Sequence, residues 1–134
     1  MVCRTAIALA ALVVSVLPAK AAEDQIESVR LSTLSAGKML SIRTAEREYR
    51  LQLVDPKTGE SLVSGSQDGK QFSTPEKMFV VGATRRGDAN TGGYSLVLMG
   101  EIREGLRIEW GRGSLDAETR GTTSPVRSIS VLPN

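Results

Sequence analysis

Beyond Glu23 the chain alternates apolar and polar residues with a period of two, and turn residues interrupt the alternation about every eight to twelve positions. This pattern predicts an all-β fold: a single small, mostly antiparallel sandwich or partly open barrel of about seven to nine strands. Alternation is cleanest over Glu48 to Val54, where Tyr49, Leu51 and Leu53 are expected inside and Arg50 and Gln52 outside. Met39 to Thr44 repeats it, with Leu40 and Ile42 on one face and Ser41 and Arg43 on the other. Ser28 to Leu34 reads as a preceding strand, turned by Ser35-Ala36-Gly37-Lys38, and Val126 to Leu132 as the last.

Turn chemistry joins these runs. In Asp55-Pro56-Lys57-Thr58-Gly59-Glu60, Pro56 presets φ at the start of the turn, and Gly59 can take the left-handed conformation that closes it. A loop over Pro56 to Gly59 pairs Asp55 with Glu60 and sets Leu53 opposite Leu62. Asp68-Gly69 marks a second turn, between Leu62–Ser66 and Lys70–Ser73. Near the C-terminal half, a three-residue loop at Arg103-Glu104-Gly105 keeps apolar faces together. It pairs Ile102 with Leu106, Gly100 with Ile108 and Leu98 with Trp110, and places Glu101 across from Arg107. Arg112 to Pro125 carries no clear strand; Ser114 is placed to cap one helical turn over Leu115 to Thr119, ended by Gly121.

Two segments lack the alternation. Met78 to Ala83 and Tyr94 to Ile102 are the most apolar strands, joined by a glycine-rich loop, and both faces of Met78–Val81 and Leu96–Met99 are apolar. With Phe79, Val81, Leu96 and Leu98 inside, Met78, Val80, Val97 and Met99 remain outside. Paired strands would then expose about 400 Å² of apolar surface, suited to self-association or a protein partner. The competing arrangement covers that face with Arg112–Pro125 or with the N-terminal stretch.

The N-terminus changes the compositional picture. Arg4 precedes an uninterrupted small-and-apolar run from Thr5 to Leu17. Pro18 breaks it, and Ala19 and Ala21 are the small residues flanking a cut before Ala22. That is the pattern of a secretory signal over residues 1–21, and the run is shorter than the ~20 residues of a spanning helix. The expected mature part, 22–134, forms a single β domain. The full chain has 17 Lys and Arg against 15 Asp and Glu. Arg4 and Lys20 leave with the signal, which carries no acid, so 15 bases then face 15 acids. No basic footprint for nucleic acid and no polybasic cluster for a membrane surface remains. The seven bases after Phe79 are all arginine, whose fork suits carboxylates and phosphates, but they are scattered over strands and loops. Secretion without a disulfide or an Asn-X-Ser/Thr site fits a periplasmic or secreted bacterial protein.

Candidate chemistry is narrow. The chain has no histidine, and its one cysteine, Cys3, lies within the signal. Ser-His-Asp and Cys-His nucleophiles, thiol redox chemistry and ordinary zinc sites are therefore closed to the mature part. Ser35-Ala36-Gly37-Lys38 matches S-x-x-K, yet it falls in a turn rather than at the start of a helix. Asp88-Ala89-Asn90-Thr91-Gly92 begins like a calcium loop but reaches Met99 where a bidentate Glu is needed. Arg86-Gly87-Asp88 in the same loop is an adhesion tripeptide that ordinary turn composition also explains. Glu101, Glu109, Asp116 and Glu118 are the carboxylates from which a hydrolase would be built. The expectation is an exported, non-catalytic interaction or structural module with no cofactor and no metal. A carboxylate-dependent hydrolase and a carrier of an apolar ligand are the alternatives.

Overall fold

A computed structural model describes residues 24–86 and 94–133. The expected signal segment and its cleavage site lie outside these residues, as do the calcium-type loop and Gly87 and Asp88 of the adhesion tripeptide. The strands are β1 (Asp24–Ile26), β2 (Ser28–Arg30), β3 (Met39–Thr44), β4 (Glu48–Asp55), β5 (Glu60–Ser66) and β6 (Glu76–Arg86). They are followed by β7 (Tyr94–Met99), β8 (Glu101–Arg103), β9 (Arg107–Arg112), β10 (Arg120–Thr122) and β11 (Val126–Val131). Nine form one antiparallel sheet in the order β1-β11-β3-β4-β5-β6-β9-β10, with β7 also on β6; β2 and β8 make a second, two-stranded sheet. The fold is all-β, and the large sheet is open rather than closed into a barrel. Near the opening, the first residue of β11 and the turn before β9 are joined by two bonds instead of a ladder: the Val126 N–H donates to Leu106 O (2.8 Å) and the Gly105 N–H to Val126 O (2.8 Å). No described helix is long and apolar enough to cross a membrane.

The alternation of β3 and β4 places Leu40, Ile42, Leu51 and Leu53 in the core, where Leu31, Ile102, Ile108, Trp110, Val126 and Ile129 join them. Burial of these side chains, each stabilising by about 1.5–3 kcal/mol, is what fixes the faces of the strands. In the β4–β5 hairpin Asp55 faces Glu60 as expected, and Gly59 has φ +77°. Leu53, however, faces Ser61 rather than Leu62, because the ladder shifts between Leu53 and Asp55. The extra residue, Val54, points to solvent, and the shift keeps Val63 inside opposite Leu51 while Leu62 turns outward.

Other departures have local causes. The strand expected over Ser28–Leu34 stops at Arg30, and Leu31–Thr33 form a 3-10 turn. There the Leu31 N–H donates to Gly100 O (2.9 Å) and its side chain plugs the core. Gly69 turns the chain with φ +74°, but Lys70–Ser73 do not resume a ladder. The Asp68 carboxylate accepts the Lys70 and Gln71 N–H groups (2.8 and 3.0 Å), so those donors are lost to pairing. Gly105 turns with φ +87°, yet the strands it joins do not pair with each other. β8 pairs with β2, so Ile102 faces Val29 and Glu101 faces Arg30, while β9 pairs with β6 and β10. Leu98 consequently faces Ala83, and Trp110 faces Val80. Gly100, at φ +64°, separates β7 from β8 and lets them join different sheets. The segment after Arg112 forms a 3-10 turn, Ala117–Thr119, and then β10, a strand with no apolar side chain that lies against β9.

Candidate functional site

The site is set by the way β6 is shared. Along one edge it pairs with β9 from Met78 to Thr84. Along the other it pairs with β5 from Glu76 to Phe79, then with β7 from Gly82 to Arg86. The sheet therefore forks at Val80 and Val81. Single bonds hold the two branches there: the Val80 N–H donates to Gly59 O (2.9 Å), and the Gly100 N–H donates to Val81 O (2.8 Å). Gly59 sits so close that a Cβ on it would collide with the Val80 carbonyl oxygen.

The four residues expected to form an apolar surface divide between β6, which carries Met78 and Val80, and β7, which carries Val97 and Met99. Met78 and Val80 are 7% and 4% exposed and belong to the core, so the outward placement expected for them is corrected. The inner face of β6 is the Met78–Val80 face; Phe79 is half-buried on the other, with the Lys77 ammonium 5.3 Å from its ring centroid. With both faces apolar, the choice falls to pairing. Registration of Val80 against Trp110 turns Met78 and Val80 towards the core.

Val97 and Met99 do lie on the surface, 43% and 72% exposed, and Leu96, expected inside, is 40% exposed as well. Leu98 is half-buried. Four consecutive apolar residues of β7 thus include none that is fully buried. Opposite them on β6 stand Gly82, Ala83 and Thr84, too small to cover a neighbouring strand. Among the described residues β7 has β6 as its only strand partner, which leaves its second edge open.

Between the two branches of the fork lies a groove of about 600 Å³. Leu31, Val80 and Val81 give it a buried apolar floor, and the exposed Met99 and Leu115 form apolar walls. Arg30, Lys57 and Arg120 also line it, all three exposed, and no acidic residue does. The Arg120 guanidinium donates from Nη2 to Leu115 O (3.2 Å), which fixes it beside the apolar wall. Lys57 is presented by the hairpin, where its N–H donates to Asp55 Oδ1 (2.9 Å). The ion pairs among the described residues, Arg43–Glu48, Lys77–Glu60, Arg103–Glu101 and Arg112–Glu76, include none of these three cations. The groove draws on six separated stretches of chain, so no sequence motif announces it. Its legible parts are Pro56 and Gly59, which shape the hairpin that supplies one wall.

The carboxylates considered for hydrolysis do not share a ladder. Glu101 is buried on β8 and paired with Arg103 at 3.3 Å, whereas Glu109 lies on β9 facing Gly82 and Thr122. Asp116 and Glu118 are exposed at the 3-10 turn before β10. Ser35 and Lys38 flank the turn after Leu34, joined by the Lys38 N–H to Ser35 O (3.2 Å). No group of three or more His, Cys, Asp or Glu among the described residues is placed to hold a metal ion. Neither a protein-family model, nor a curated protein, nor a solved structure matches this chain. Fold and site together define a small two-sheet β domain with an open apolar strand beside a cation-lined groove.

Proposed function

We propose that this chain is an exported, non-catalytic interaction module, and that β7 is the strand it presents to a protein partner. The observation that carries this reading is the run Leu96-Val97-Leu98-Met99, without one fully buried side chain, on an edge with no strand partner among the described residues. An edge of this kind combines unpaired backbone donors and acceptors with apolar side chains, and both are satisfied by an added strand. A second copy is the simplest occupant, since β7 set against its own symmetry mate about a two-fold axis is self-complementary. The groove beside the strand is lined by no carboxylate, so it lends no support to the hydrolase alternative.

Sedimentation of the exported protein, alone and with Val97→Lys or Val97→Lys/Met99→Lys, tests the reading. Association that lysine abolishes, with the circular dichroism spectrum unchanged, supports it. A monomer at every concentration sinks the second-copy assignment, and unfolding of the variants would mean that these side chains belong to the core.

A further inference from the structure

The groove at the fork has a composition that strand pairing does not explain. We infer that it is a binding site for a single-chain amphiphile with an anionic head group, taken up as a free monomer. Its volume of about 600 Å³ falls within the range of small-ligand sites. Leu31, Val80 and Val81 form an apolar floor recessed between the β4–β5 hairpin and the Gly100 bend, and Met99 and Leu115 stand beside it. A tail lying there removes apolar surface from water on both partners.

The head group follows from charge. Apart from the expected signal, acids and bases balance along the chain, yet the groove gathers Arg30, Lys57 and Arg120 without one acid in its lining. The carboxylate nearest to Lys57 in sequence, Asp55, is turned onto the Lys57 N–H within the hairpin. A neutral oil would leave three cations without a counter-charge, and a bare inorganic anion would leave the apolar floor wet. A nucleic-acid strand finds no aromatic side chain in the lining on which to stack. A carboxylate or phosphate head answers the arginine forks, and an alkyl tail answers the floor. Entry as a monomer follows from the recessed floor, because a bilayer surface calls for a protruding polybasic face instead.

Decanoate below its micellar concentration is the probe, read by calorimetry and by the ¹³C-methyl signal of Met99. Saturable binding that moves the Met99 methyl is expected, with acetate and octyl glucoside far weaker. Arg30→Glu/Lys57→Glu should weaken decanoate by about tenfold or more, as the loss of charge-assisted contacts implies. Both residues are exposed, and Lys57→Glu alone should show a smaller loss in the same direction. Val97→Lys should leave decanoate binding intact, which separates this site from the strand edge. Failure of decanoate to move the Met99 methyl, binding indifferent to charge reversal, or binding to phosphatidylglycerol vesicles without binding to the monomer would each overturn the assignment.

Discussion

Tyr49 on β4 and Trp110 on β9 meet edge to face, their ring centroids 5.1 Å apart and their planes at 83°. In the sheet these strands are separated by β5 and β6, so the rings can touch only because the sheet curls over its own core. The contact joins the N-terminal meander to the strand that sets the register of β6. A T-shaped pair adds about 0.5–1.5 kcal/mol beyond the area it buries.

Loss of this pair is expected to be costly from one side and mild from the other. Trp110→Ala should destabilise by about 3–5 kcal/mol, and Tyr49→Phe much less, since the ring remains. Trp110 is the only tryptophan, so its emission reports the contact directly. Tyr49→Ala should shift that emission to longer wavelength; an unchanged spectrum would place the rings apart.

The Tyr49 hydroxyl adds a pH dependence. Burial pushes its pKa above 10.0, opposed by Arg47 and reinforced by Glu46. The unfolded chain then ionises first as pH rises. Stability from this group is intact below the ordinary tyrosine value and falls as pH climbs from there through the raised folded value. Urea midpoints measured across that window should fall more steeply for the wild type than for Tyr49→Phe.

Two glycines separate backbone conformation from crowding. Gly105 has φ +87° and open space where a Cβ would go, so Gly105→Ala should cost about 1–2 kcal/mol from the left-handed conformation alone. Gly59 has φ +77° and the Val80 carbonyl in the way, so Gly59→Ala should cost clearly more. Equal midpoints in urea for the two variants would contradict the close approach at the fork.

Asp68 organises the turn after β5. Its carboxylate accepts the Gln71 and Lys70 N–H groups and the Ser66 hydroxyl, and these bonds hold its pKa below 3.8. A depressed folded pKa means that the contribution is present above the ordinary aspartate value and disappears as pH falls through the lower folded one. The stability difference between wild type and Asp68→Ala should therefore be constant near neutrality and vanish in strong acid. A difference that grows on acidification would have the wrong sign.

Glu101 and Arg103 give a further comparison. The Glu101 side chain is 8% exposed and its ion-pair partner Arg103 is 48% exposed, at 3.3 Å. Arg103→Ala leaves the buried carboxylate without that partner and should cost about 1–3 kcal/mol. Restoring much of that loss by adding Glu101→Gln would show that the uncompensated charge is the cause.

Features that depend on near neighbours can be read along the chain. The alternation of Leu40 and Ile42, and of Leu51 and Leu53, identified β3, β4 and their inner faces, since only one face of each is apolar. Turns at Gly37, Gly59, Gly69 and Gly105 were legible as well, because a left-handed residue is a local requirement, and all four have positive φ. Features that need a distant partner are set by packing and strand pairing. Met78 and Val80 compete with Phe79 on a strand apolar on both faces, so pairing with β9 chose the inside. Leu53 faces Ser61 because a bulge at Val54 keeps Val63 in the core, and β8 left β9 for β2 because Gly100 turned it away. Arg30, Lys57, Leu115 and Arg120 share no spacing at all; they meet only where the sheet forks, and that fork exists because one strand, β6, pairs with three others.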